Sequence, residues 1–391
     1  MDPRSLFPVF DRFTYLEWAS VGPAPTTSVD SISKFASGVS SMSLEASFSE
    51  YVFNAEQKSR ELLARLINSK PDEISFTGSS TTEGVQTFLN SLNPGKGSNI
   101  VSTDLEFPLM ATELQKWKER KVEIRVWKHR SGSFSHEDLE SLVDDDTAAV
   151  CLSSVIWVNG FRFDLKEVAK IAHEREAFVL ADSIQHAGAV NLDVADSGVD
   201  AVSGGAHKWL MSPFGTGFLY ISSRITDRLQ RVSYGYGNME TPASGWEEYW
   251  IDRQKVIFSD YRFSNDFRKY QYGGMKNYAG LIGLSESLKI LESVPQDERD
   301  SRILSLRRTF LETLETHGYF LVSPVDEEHS SGIVTFTTGS LDADRRLHAR
   351  LLESGIRVSL RGAGGIGGIR VAFNFLNNEE DIAKLVSMLE R

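Results

Sequence analysis

The 391-residue sequence predicts an α/β protein, a mostly parallel sheet sandwiched by helices, on three observations. Strand-like and helix-like segments alternate from residue 74 to residue 222, the order that winds a parallel sheet with helices on both faces. Two strand segments, TAAVCLSSV (147–155) and AFVLAD (177–182), are nearly continuous apolar runs, as strands buried on both faces are. Several strands end in polar or glycine-rich turns, at the carboxyl edge where open parallel sheets gather ligands.

Taken in order, ISFTG (74–78) is a short strand, and the helix after it begins near Thr82 and runs through EGVQTFLNSL. SNIVST (98–103) is the next strand, and VEIRVW (122–127) alternates apolar and polar residues, which predicts a half-buried one. Beyond the run at 147–155, Asp164 caps a helix with Glu167 three residues on, a capping-box spacing. Leu165, Val168, Ala169 and Ala172 form the apolar stripe of that helix. AFVLAD is followed by two more strands, DAVSGG (200–205) and GFLYIS (217–222). Residues 224–270 are rich in Tyr, Trp and Arg and show no period, whereas NYAGLIGLSESLKILE (277–292) is a long helix placed to join two domains. The tail has its own helix, strand and helix pattern, closing on EEDIAKLVSML.

Composition narrows the function. A formal charge of -12 argues against a nucleic-acid surface, which needs a basic stripe. Cys151 is the only cysteine, so neither an intrachain disulfide nor a cysteine-based zinc site is expected, and Cys151 itself reads as core packing. MDPRSLFPVFDRF at the N-terminus has no sustained apolar stretch, and no run approaches the roughly 20 residues of a membrane span. The expectation is a cytoplasmic protein without nucleic-acid or membrane partners.

The segment SGGAHKWL (203–210) sets a lysine between a histidine and a tryptophan, after small residues and before a glycine-rich turn. Lys208 is either a surface lysine whose stem packs on Trp209, or an amine meant to lose its proton and attack a carbonyl. Asp182 ends one predicted strand, Lys208 lies just past the end of another, and TGSSTTEG (77–84) ends a third and opens a helix. The backbone N–H groups and dipole of such a helix start form a phosphate cradle. Cradle, carboxylate and lysine brought to one cleft are what pyridoxal 5'-phosphate requires: a phosphate site, an acid for the ring nitrogen and an amine for the aldehyde.

VLADSIQHAGAV, with AHKW placing a lysine 26 residues past the aspartate, resembles the class V aminotransferase family of fold-type I pyridoxal-phosphate enzymes. The pattern is nearest to its isopenicillin N epimerase-like and cysteine desulfurase-like branch. The resemblance implies a large domain with a seven-stranded-type sheet over about 20–265 and a smaller α+β domain from 1–19 and 266–391. It also implies a homodimer with active sites near the interface. Carried over residue by residue, it makes Lys208 the Schiff-base lysine, Asp182 the partner of the ring nitrogen, Gln185 a contact of the ring hydroxyl and His207 a phosphate contact. Thr81 and Thr82 match the phosphate-binding segment, although as helix-capping residues they have a structural reading too. Phe107, in LEFP, falls where the family places an aromatic ring over the cofactor, and Arg370, in GGIRVAFNF, is the fork for a substrate carboxylate. YLEWASVGPAP (15–25) is similar to the family's substrate-side N-terminal loop.

Departures from the pattern bear on the reaction. Gly205 replaces a common serine, leaving Ser203 as a substitute. Trp157 stands where desulfurases have an asparagine, with Asn159 nearby, and YGGMKN offers only the Gly273–Gly274 backbone for a contact from a partner subunit. No cysteine follows Cys151, so the nucleophilic cysteine of a desulfurase is missing. GAGGIG (362–367) has dinucleotide-loop spacing but lacks the strand before and helix after it, and reads as a flexible loop closing over the substrate arginine. The expected activity is aminotransferase-type chemistry at the Cα of an amino acid. An epimerase or carbon–sulfur lyase is the alternative within the class, and a non-catalytic pyridoxal-phosphate-binding protein the alternative outside it.

Overall fold

The computed structural model describes residues 2–42, 45–78 and 80–389; Ser79, in the predicted phosphate turn, lies outside them. Seven strands build the central sheet: β2 (Ile74–Phe76), β3 (Asn99–Thr103), β4 (Glu123–Trp127), β5 (Thr147–Ser153), β6 (Phe178–Asp182), β7 (Ala201–Gly205) and β8 (Gly217–Ile221), after a short β1 (Thr14–Tyr15). Their order is β2-β8-β7-β6-β5-β3-β4. All neighbours are parallel except those made by β8, which runs antiparallel to β2 and β7. The loop from 206 to 216 explains the exception, because it is too short to hold a crossover helix and turns the chain straight back.

Both sheet faces are covered, as the apolar runs predict. Val150 and Leu152 of β5 join one buried cluster, whereas Ala149 and Cys151 join another on the opposite face, so the period of two survives inside a wholly apolar strand. The edge strand β4 is only partly buried. Around the sheet lie α1 (Thr26–Ser41), α2 (Ala46–Leu66), α3 (Thr81–Leu92), α4 (Pro108–Glu119), α5 (His136–Glu140), α6 (Leu165–His173), α7 (Val194–Ser197), α8 (Gly245–Ile251) and α9 (Tyr278–Glu292). Asp164 caps α6 by accepting from the N–H groups of Lys166 and Glu167. The long helix α9 packs against α1 and α2, with Ser28 and Ser59 hydroxyls bonded to its Gly283 and Leu281 carbonyls.

The C-terminal part continues through α10 (Gln296–Thr316), β9 (Phe320–Leu321), β10 (Ile333–Thr337), α11 (Leu341–Glu353), β11 (Ile356–Arg357), β12 (Ser359–Ala363), β13 (Ile366–Ala372) and α12 (Glu379–Leu389). An antiparallel sheet β12-β13-β10-β9 buries Phe336 and Phe373 against Phe310, Leu351 and Leu385 of the helices. GAGGIG is therefore not a flexible loop. It is the turn of a β-hairpin in which Gly364 and Gly365 take the positive φ values, 57° and 86°, that a tight hairpin connection needs. β1 pairs in parallel with β11, and from there residues 16–22 run across to the 206–216 turn. Among the described residues no helix is long and apolar enough to cross a membrane.

Candidate active site

The carboxyl ends of the central strands meet one cavity of about 350 Å³. Its wall includes Ser80, Thr81 and Thr82 from the start of α3, Phe107 before α4, Trp157 after β5, Ile184 and Gln185 after β6, and His207 and Lys208 after β7. The small antiparallel sheet closes the other side with Arg361 and Arg370, and the N-terminal segment adds Ala19 and Ser20.

Local sequence places each group. Ser80 caps α3 by accepting from the Thr82 N–H at 3.2 Å and donating its own hydroxyl to Glu83. The Thr81 hydroxyl, at the first helical position, is buried without a partner in the protein. Such an orphan donor at a helix N-terminus suits an anion. Ser203 does not reach the cavity; its hydroxyl donates to the Thr81 carbonyl and ties β7 to α3. Asn159 is fully buried on the Gly132 carbonyl and the Phe161 N–H, so Trp157 and not Asn159 faces the cavity. Gly273 and Gly274 lie away from it, the Gly273 carbonyl accepting from Gly237.

Asp182 ends β6, where the register sets it between Ser153 of β5 and Ser203 of β7. Its carboxylate is buried and accepts one bond, 2.9 Å from the Ile184 N–H. Burial pushes its acidity upward, against the Ile184 bond and the opposing charge of Lys208. Lys208 is held well below ordinary lysine basicity, first by burial and then by the Arg370 charge, with Asp182 acting in the other direction. Its Nζ stands 5.7 Å from the centroid of Phe107, whose ring is 41% exposed and is braced edge-on by Trp157 at 5.5 Å. The surface-lysine reading therefore fails on burial alone. His207 stacks on Phe214 at 5.2 Å, and burial plus the neighbouring Lys208 pushes it down to about 4, so it is neutral near pH 7. Gln185 donates to the Ala19 carbonyl and accepts from the Trp209 indole, both at 2.9 Å, keeping one amide N–H for a ligand.

Backbone contact seats the N-terminal loop on this turn. The Gly22 N–H donates to the His207 carbonyl at 2.8 Å, and a Cβ at Gly22 would sit 1.7 Å from the Lys208 carbonyl oxygen. Only glycine fits there. Ser20, two residues earlier, accepts from Arg370 at 2.9 Å and Arg361 at 3.2 Å. Arg370 also donates to the Trp157 carbonyl and to Ser359, but among the described residues no carboxylate pairs with it. Burial and the Arg361 charge pull its basicity down to about 9. Arg361 and Ser20 were not among the sequence candidates. The signal for Arg361 is the hairpin: Ser359 opposes Arg370 in register, and Arg361, two residues on, shares their face.

These groups fit pyridoxal 5'-phosphate: an orphaned hydroxyl at a helix start, a desolvated amine, a buried acid and an aromatic ring around one cavity. Fold and site together define a fold-type I pyridoxal-phosphate enzyme. Within that class the chain belongs to the class V aminotransferase family, whose model matches residues 14–385. A probable cysteine desulfurase of Methanothermobacter thermautotrophicus is 25% identical over 413 residues, covering 100% of this chain and 97% of the relative. Two solved structures of the protein C-DES share the fold. One is a mutant with glycine covalently linked to its pyridoxal-phosphate cofactor (TM-score 0.86, 21% identity, 99% of this chain and 98% of that one). The other is the cystine C–S lyase with its reaction product cysteine persulfide (TM-score 0.85, 22% identity, 98% of each chain).

Proposed function

We propose that the protein acts at the Cα of a free α-amino acid, with Lys208 as both the cofactor-binding amine and the base. The observation that carries this is a desolvated lysine sharing a cavity with a buried arginine that has no protein carboxylate to neutralise it. In this reading Thr81, Thr82 and the α3 N-terminus hold the phosphate with His207, Phe107 covers the ring, Gln185 meets its hydroxyl and Asp182 its nitrogen. Bound there, pyridoxal phosphate supplies an electron sink for the pair released at Cα. Arg370 takes the substrate carboxylate through a fork that lysine cannot reproduce, and Arg361, sharing Ser20, adds a second cation. Lys208 Nζ then accepts the Cα proton, a role for which its lowered basicity suits it. A homodimer with sites near its interface belongs to the same proposal; Phe214, 68% exposed and stacked on His207 at the cavity, supports it.

Aminotransferase-type turnover is the leading reaction. The desulfurase name of the relative favours a second reading, elimination of a sulfur substituent from Cβ. A protein persulfide is not part of it, because Cys151 is buried within β5 and burial holds its thiol far above the usual range. The test is incubation of the cofactor-loaded protein with single amino acids, assaying keto acid, sulfide and inverted amino acid. Keto acid without sulfide supports transamination, sulfide with pyruvate supports elimination, and no spectral response to any amino acid refutes both.

A further inference from the structure

A carboxyl that the proposed chemistry leaves unused lies beside Asp182. Glu106, one residue before the α4 cap, turns back from the end of β3 and grips the end of β5. One carboxylate oxygen accepts from the Thr103 hydroxyl and the Ser153 N–H, each at 2.8 Å; the other accepts from the Ser153 hydroxyl at 2.6 Å. Ser153 is the register partner of Asp182. The next residue in the chain is Phe107, which caps α4 without a side-chain bond of its own. The residue before the ring-covering aromatic is thus bonded to the strand end adjoining the acid.

We propose that Glu106 is a positioning residue for the cofactor ring, bridging β3 to β5 so that Phe107 is fixed on one side and a second negative charge adjoins Asp182 on the other. This rests on the cofactor reading above. Burial pushes the Glu106 carboxyl up to about 7, opposed by the Ser153 and Thr103 bonds and reinforced by Asp182. The titratable groups facing it are Asp182 on β6 and Cys151 on β5, and neither offers a positive charge. Its ionisation near neutrality therefore adds negative charge beside the ring nitrogen, which favours the protonated forms of the bound cofactor.

Two substitutions in the cofactor-loaded protein separate charge from anchorage. Glu106→Gln keeps the bridge, since an amide oxygen accepts from Thr103 and the Ser153 N–H while its N–H₂ donates to the Ser153 hydroxyl. It removes only the charge. The pH midpoint of the visible cofactor band is expected to fall by about half a unit, with thermal stability and cofactor release unchanged. Glu106→Ala breaks the bridge and is expected to speed cofactor release by about tenfold, the effect of one lost charge-assisted hydrogen bond. An unmoved midpoint in the glutamine variant overturns the proposal, as does wild-type release from a folded alanine variant. Should the alanine variant fail to fold, the glutamine midpoint decides alone. Wild-type protein without any visible band would overturn the cofactor reading itself, whereas a normal wild-type band with no response in either variant would sink only the role of Glu106.

Discussion

Asp182 and Asp200 lie on adjacent strands, both 2% exposed, and are opposites in everything that surrounds them. Asp200 precedes β7 at the amino edge of the sheet. It accepts from the Val179 N–H and from His173 Nε2, each at 2.8 Å, and has Arg224 at 3.8 Å. Asp182 ends β6 at the carboxyl edge with one backbone bond and no salt-bridge partner among the described residues. One edge of the sheet satisfies its buried acid; the other leaves an acid, an amine and an arginine desolvated around a cavity. An unpartnered buried polar group costs stability, so a cluster of them in one place marks where a ligand completes the structure.

The comparison can be broken at several points. The largest effect is expected from Lys208→Ala, which removes the proton acceptor: exchange of the substrate Cα–H, followed by deuterium incorporation, should fall by at least about a thousandfold. Undiminished exchange would remove the lysine from the mechanism. Next come paired substitutions of the two aspartates. Asp182→Asn should cut turnover about a hundredfold or more while leaving the denaturant midpoint near wild type. Asp200→Asn should do the reverse, costing about 1–3 kcal/mol of stability with turnover per folded molecule preserved. If both variants lost stability alike, the contrast between the edges would be false. Arg370→Lys should raise KM for the amino acid by about 10–100-fold, with a smaller change in kcat, because a point charge cannot replace the fork.

The smallest effect sharpens the picture of the amino-edge and core histidines. His186 is buried, its Nε2 on the Asn191 carbonyl, and burial pushes it down to about 3. Its folded pKa lies below the unfolded value near 6.5, so the unfolded chain binds the extra proton as pH falls. Stability should therefore decline below pH 6.5, by at most about 1.4 kcal/mol per pH unit from this group, down to about pH 3. In His186→Gln that slope should flatten, as read from denaturant midpoints between pH 4 and 7.

Much of this was legible because it is local. Lys208 follows β7 and Asp182 ends β6, positions that apolar runs and their polar stops announce, and Thr81 and Thr82 open a helix straight after a strand. Arg370 was reachable through resemblance. Arg361 was hidden by reading its hairpin as a loop, although the Gly-Gly dipeptide between two alternating segments is a hairpin signal. Glu106 gave no sign at all, since its meaning lies in Ser153, 47 residues further along.

The sequence by itself determined the alternation of strands and helices, the buried strands and the side chains at their ends, because periodicity and capping act over a few residues. Only the tertiary structure decided that Ser20 would hold two arginines 341 and 350 residues away, that Asn159 would serve the core while Trp157 faced the cavity, and that Asp182 would stay unpaired where Asp200 does not. Strand order and register bring those groups together, and both are set by cooperative burial across the sheet, which no short stretch of sequence records.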